Sequence, residues 1–96
     1  MSDPIVERAD AVNNALLTME REATADDLFP LGYLIPQIPL LVDQLDYDPV
    51  DVSAADFDAV FHEWLEGCFA QDGMSDADQN AVRTLFDQAC HQAGTP

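Results

Sequence analysis

A run of fifteen residues without a charge constrains the fold more than any other feature of this sequence. Residues 28–42 read LFPLGYLIPQIPLLV, in a chain that otherwise carries 19 acidic and only three basic side chains. Pro30, Pro36 and Pro39 interrupt the run, which is shorter than the roughly 20 apolar residues that a transmembrane helix needs. We therefore do not expect the run to cross a membrane, and we expect its second half, with Leu34, Ile38 and Leu41, to pack in the core.

The charge balance of the chain excludes several kinds of partner. The formal net charge is -16, and no lysine is present among the basic residues. Nucleic acid would be repelled and would meet few cations able to displace its counterions, and anionic membrane surfaces would be repelled in the same way. A basic partner, weak cation association, or an acidic surface suited to a salty interior remain open.

Length and composition favour one domain over residues 1–96. A chain of this size holds a single small core, and an apolar content of 48% argues against intrinsic disorder. The opening residues, Met-Ser-Asp-Pro, place an acid where a signal peptide carries basic residues before an apolar run. We therefore expect a cytoplasmic protein.

Apolar residues at helical spacing predict an all-α fold. The stripes recur every three or four residues and indicate helices near residues 4–23, 35–45, 54–71 and 76–93, with a short helical turn near 25–30. Capping residues stand just before these segments: Asp3 with Pro4, Thr24 with Asp27, Ser53 with Asp56, and Ser75 with Asp78. The prediction is a small bundle of about four helices.

Glycine and proline positions predict where the helices break. Gly32 is expected to break or bend the chain after the short turn, and Gly73 is expected to end the third helix. Pro36 and Pro39 lack the amide hydrogen that an interior helical position needs. They are therefore expected in the first turn of a second helix that begins near Ile35.

The last two helices are predicted to form an antiparallel hairpin, because residues 72–75 leave room only for a short connection. Cys68 and Cys90 would then be offset by about 16 Å along the helix axis, at a rise of about 1.5 Å per residue. A disulfide needs Cα atoms within about 7 Å of each other. Both cysteines are therefore expected to be reduced, small apolar residues of the core.

No group of side chains in the sequence predicts catalysis, a cofactor or a metal. His62 has Asp58 and Glu66 at helical spacing, but the zinc motif H-E-x-x-H needs a second histidine where Glu66 stands. Local ion pairing on a solvated helix face explains these residues better. The acidic loop that begins at Asp46 lacks the glycine and the glutamate that an EF-hand requires. We therefore predict a protein that is not an enzyme.

Residues 27–34 contain an L-F-x-x-G-Y-L core that resembles the YfcL family of small bacterial proteins. Chain length and helix order also resemble that family, so the likeness covers nearly the whole chain. It implies a small all-helical domain with no established activity. Residues 35–37 depart from the more polar, Arg- and His-containing stretch expected of the family, so no role of such side chains is carried over.

The candidate interface is one corner of the uncharged run: Leu28, Phe29, Leu31, Gly32 and Tyr33. These residues either pack a tight corner, where Gly32 allows an approach that a Cβ would forbid, or form an exposed patch rimmed by aspartates. The patch would bind a protein partner or a second copy of the chain. We predict a noncatalytic protein-interaction or adaptor module, and the alternative is an acidic decoy that binds a basic partner.

Overall fold

Four α-helices share one apolar core in the computed structural model, which describes residues 3–94. The helices are α1 (Pro4–Arg21), α2 (Ala25–Gln44), α3 (Ala54–Asp72) and α4 (Asp76–Ala93). No strand is present in the described residues, and the predicted all-α fold is confirmed. The expected domain boundaries at residues 1 and 96 lie outside the described part of the chain.

Two helices begin at side-chain caps that the sequence predicted. The Asp3 carboxylate accepts hydrogen bonds from the Ile5 and Val6 amides at 3.0 and 3.2 Å, and Pro4 occupies the first helical position of α1. These bonds satisfy amides that have no partner within the helix. The hydroxyl of Ser75 accepts from the Asp78 amide at 3.3 Å in the same way and starts α4.

Of the other two helices, only α2 differs from the prediction in the hydrogen bonds of its cap. Thr24 precedes α2 as expected, but its side chain makes no capping bond, and the Asp27 amide bonds to the Thr24 carbonyl instead at 3.1 Å. At α3 the predicted capping box of Ser53 and Asp56 is present, and the Ser53 amide donates to the Asp56 carboxylate at 2.8 Å. Helix starts are therefore set by the predicted residues, although through fewer bonds at Thr24.

The predicted break at Gly32 is wrong, because α2 runs through it as one helix from Ala25 to Gln44. The short turn and the second helix of the prediction are two parts of this element. Among the described glycines, only Gly73 and Gly94 have positive φ angles. A Cβ built on Gly32 meets no atom within 4 Å, so neither a special backbone conformation nor a close approach explains this glycine.

Pro30, Pro36 and Pro39 all lie inside α2, which corrects the predicted place of Pro36 and Pro39 in a first turn. An interior proline costs about 3 kcal/mol through a lost hydrogen bond and a steric clash. Four aliphatic side chains of α2 are nearly completely buried: Leu31, Leu34, Ile38 and Leu41. Their burial contributes about 1.5–3 kcal/mol each, which is of the same size as the cost of the prolines. Packing therefore overrides the local preference.

The core lies where α1 meets the other three helices, since α1 packs against each of them. Its largest fully buried side chains come mainly from the second half of the chain: Phe57, Phe61, Phe69 and Phe86. The Phe61 ring of α3 packs on the Phe86 ring of α4, with the ring centroids 4.7 Å apart. Among residues 3–94, no helix combines the length and the apolar composition that crossing a bilayer requires.

Short turns and one side-chain bond fix the connections. Gly73 ends α3 as predicted, with a left-handed φ of 61°, and the Met74 amide donates back to the Phe69 carbonyl at 3.1 Å. The longer loop over residues 45–53 is held by Tyr47, whose hydroxyl donates to the Asp3 carboxylate at 2.7 Å. The loop is therefore attached to the start of α1.

Candidate interaction surface

Along residues 28–42, the side of α2 that faces away from the core is exposed and apolar. At about 100° per residue, Phe29, Pro36 and Leu40 lie within about 40° of one line along the helix, with Gly32 beside them. The side chains of Phe29 and Leu40 are 58% and 46% exposed, and Gly32 and Pro36 are also exposed. We call these four residues the outer face of α2. The uncharged run therefore has two apolar sides: one packs in the core, and the other is exposed to solvent.

The structure separates the five residues of the predicted interface. Leu28 and Phe29 are exposed, at 51% and 58%, whereas Leu31 is 1% exposed and belongs to the core. Gly32 is exposed on the outer face of α2. Tyr33 is half-buried and packs toward α3. Of the five predicted residues, the outer face therefore contains Phe29 and Gly32, whereas Leu28 is exposed beside it and Leu31 lies in the core. The face extends along the helix beyond the predicted corner.

Tyr33 joins α2 to the end of α3. Its hydroxyl donates to the Asp72 carboxylate at 2.8 Å, and its ring stacks on Phe69 with the centroids 6.2 Å apart. Burial and the hydrogen bond to Asp72 raise the pKa of Tyr33 well above its ordinary value. Tyr33 is therefore a packing residue at the side of the outer face, and its phenol stays protonated.

An apolar groove of about 320 Å³ lies beside the outer face, between α1 and α2. Pro36 lines both surfaces, so the two are continuous. The groove also contains Asn13, whose side-chain oxygen is buried and has no hydrogen-bond partner. A buried acceptor left without a donor costs about 1–3 kcal/mol. The groove and Leu40 were both missed by the sequence analysis, which assigned this half of α2 to the core.

A buried arginine, also missed by the sequence analysis, holds three helices together. Arg8 is 5% exposed and binds Asp58 through two parallel hydrogen bonds of 2.9 Å each. It also donates to the Gly94 and Cys90 carbonyls at 2.9 and 3.1 Å, at the end of α4. Asp58 and the hydrogen bonds raise the pKa of Arg8 further above its already high value. This cluster is structural, because all four hydrogen bonds of the Arg8 side chain join α1 to α3 or to the end of α4.

The residues that suggested a metal site each lie against a side chain of another helix instead. Glu66 accepts two hydrogen bonds from Arg83 at 2.7 and 2.9 Å, and its pKa is lowered by that guanidinium. His62 lies 3.4 Å from the Asp87 carboxylate. Asp58, the third residue of the set, binds Arg8. Within residues 3–94 no group of three His, Cys, Asp or Glu side chains is arranged to hold a metal ion.

Both cysteines are free thiols. Cys90 packs against the core, and burial raises its pKa to about 12, with a further contribution from the charge of Asp58. Cys68 is half-buried, with its sulfur 3.7 Å from the Gln37 side-chain oxygen, and burial raises its pKa as well. Thiols with raised pKa values are poor nucleophiles at neutral pH. Cys90 therefore has the predicted packing role, whereas Cys68 is not among the residues that pack against the core.

The shared core and the exposed helix face define a small all-α domain with one uncovered apolar surface. Comparison of the chain with protein-family models, with curated proteins and with solved structures found no match. The resemblance to the YfcL family therefore stays a prediction.

Proposed function

We propose that this protein is a noncatalytic interaction module that binds a protein partner through the outer face of α2. The supporting observation is the exposure of Phe29 and Leu40, 58% and 46%, on one side of a helix that carries no charge between residues 28 and 42. Burial of a large apolar side chain contributes about 1.5–3 kcal/mol, and aromatic residues are frequent anchors of binding energy in interfaces. A helix that is apolar on all sides is normally covered on all sides.

The charges near the outer face indicate what the partner carries. Asp26 and Asp27 precede Phe29, and Asp43 follows Leu40 by less than one turn. A second copy of the chain would bring these like charges together, whereas basic side chains on a different protein would be attracted. We therefore favour a partner with an apolar surface edged by lysine or arginine over a homodimer.

An acidic decoy is the second candidate function, and the net charge of -16 supports it. Such a protein would present its carboxylates to a basic partner and would not need the outer face. Its binding would fall steeply with added salt, because exposed charges are screened. Binding through an apolar face would weaken little or would strengthen.

A matched pair of double variants tests the proposal. Phe29→Ser with Leu40→Ser removes the apolar side chains of the outer face, and Leu17→Ser with Val50→Ser changes two exposed apolar residues elsewhere. All four are exposed, at 39–68%, so both variants should fold, which circular dichroism checks. Proteins captured from a lysate are then compared at low and high salt.

We expect a partner that wild type and the control variant both retain, at either salt concentration, and that the outer-face variant loses. Equal retention by both variants would contradict the proposal. Loss of all partners at high salt would favour the acidic decoy.

We further propose that the protein acts in the cytoplasm, where free thiols such as Cys68 and Cys90 persist.

A further inference from the structure

We infer that the groove between α1 and α2 binds a small primary amine carried on an apolar stem. The groove walls are aliphatic: Val6 on α1 faces Ile35, Pro36, Pro39 and Val42 on α2. Its volume of about 320 Å³ lies in the range of small-molecule sites. A short hydrocarbon chain would be taken out of water here. This inference does not rest on the proposed protein partner.

The polar groups of the groove are acceptors that together match an ammonium ion. Asp10 and Asn13 are three residues apart on α1 and so share one helix side, and Asp43 lines the groove from α2. The side-chain oxygen of Asn13 is buried without a donor. An ammonium group has three N–H donors and no acceptor, so it suits a groove whose charged side chains all accept hydrogen bonds.

Charge complementarity selects a cation over a neutral or anionic ligand. No lysine, arginine or histidine lines the groove, and both of its titratable side chains are aspartates. The Asn13 oxygen is buried, so a bond from the ammonium group to it would require the amide to rotate about its terminal torsion, which is soft in asparagine. The two carboxylates would then hold the ammonium group at the rim, while the stem packs between Val6 and Pro39.

Titration of the ¹⁵N-labelled protein with n-hexylamine tests the inference. We expect saturable shifts of amide signals around the groove, with the residues of the 45–53 loop unaffected. n-Hexanol has the same stem without the charge, and trimethylhexylammonium has the charge without an N–H donor. Both should bind more weakly than n-hexylamine. Equal binding of all three would overturn the inference.

Charge-matched variants separate the groove from the general acidity of the chain. Asp10→Asn with Asp43→Asn should weaken n-hexylamine binding roughly two- to thirtyfold, as expected for two exposed ion pairs. Asp46→Asn with Asp51→Asn removes the same charge in the 45–53 loop and should leave binding within about a factor of two, since screening makes distant exposed charges weak.

A side-chain truncation tests the hydrogen bond to Asn13. Asn13→Ala should weaken n-hexylamine binding by roughly two- to tenfold, the range for one lost hydrogen bond. Equal losses in the two double variants, or no loss in Asn13→Ala, would overturn the inference. So would binding of a lysine-containing peptide in the groove when n-hexylamine does not bind.

Discussion

The Arg8–Asp58 pair provides the sharpest test of how this fold is held together. The side chains of Arg8 and Asp58 are 4% and 20% exposed, and their two parallel hydrogen bonds join α1 to α3. The perturbation is a double-mutant cycle that uses Arg8→Met, Asp58→Ala and the two changes together. Methionine keeps an unbranched apolar stem in the space of the arginine, so the change removes charge and hydrogen bonds more than volume.

The magnitude follows from the burial of the charge that is left behind. Asp58→Ala leaves the Arg8 guanidinium without its counter-charge, and breaking a buried pair in this way costs about 3–5 kcal/mol. We expect the lower end, about 3 kcal/mol, because Asp58 is partly open to water and two carbonyls still accept from Arg8. In a domain of this size, such a loss lowers the melting temperature by roughly 12–24 °C.

The double variant should be more stable than the two single losses predict. Once Arg8 is methionine, no buried cation needs Asp58, so the second change costs less. We expect a coupling energy of about 2 kcal/mol, within the range for contacting residues. Urea titrations followed by circular dichroism give the free energy of unfolding for each variant.

An exposed pair of an arginine and a carboxylate, Arg83 and Glu66, serves as the control for this cycle. Arg83 and Glu66 also form two hydrogen bonds, but their side chains are 33% and 54% exposed. Arg83→Met and Glu66→Ala should change stability little, because water screens such pairs. Equal effects in the two cycles, or no coupling between Arg8 and Asp58, would refute the assignment of Arg8 as a buried tie between helices.

Three other perturbations give distinct expected outcomes. Gly32→Ala should stabilise the protein by about 0.5–1 kcal/mol, and Gly73→Ala should destabilise it by about 1 kcal/mol because the φ angle of Gly73 is 61°. Urea titration measures both changes in the free energy of unfolding. A loss of stability in Gly32→Ala would contradict the regular helix at this position. The Tyr47 hydroxyl lowers the pKa of Asp3, so this carboxylate stabilises the fold above its ordinary pKa near 3.8 and the contribution is lost as pH falls through the lowered value. Tyr47→Phe should raise the pKa of Asp3, as followed by NMR, whereas Tyr33→Phe should leave it unchanged; equal effects would refute the assignment. The melting temperature should rise with added salt as self-repulsion is screened, and a constant value would show that net charge does not limit stability.

Three helices could be predicted from the sequence because their local and tertiary preferences agree. For α1, α3 and α4, an apolar stripe, a capping residue and the helix bounds all indicate the same segment. In α2 these signals conflict, since Gly32 and three prolines oppose a helix that the apolar spacing favours. The glycine and the prolines predicted a break in the helix, but the packing of Leu31 and Leu34 in the core favours a continuous helix. In α2, only the spacing of the apolar residues predicted the helix correctly.

Arg8 carried a signal in the sequence, but its partner did not. It stands three residues after Ile5 and four before Val12, which places a charge within the apolar stripe of α1. That position indicates a buried cation in need of a carboxylate. The choice of Asp58 among 14 aspartates depends on how α3 packs against α1, which spacing along one helix cannot provide. The exposure of Leu40 depends on packing in the same way.

The bonds from Arg8 to the end of α4 hold the first and the last helix next to each other. The Gly94 carbonyl lies 2.9 Å from the Arg8 guanidinium, although the two residues are 86 positions apart. Helices that are farthest apart in sequence are therefore neighbours in space, and the exposed Val50 marks a place where the backbone can be opened. A circular permutant with a short flexible linker after Gly94 and new ends beside Val50 would keep every helix contact, and the order in which the helices are synthesised would change without a change in the fold.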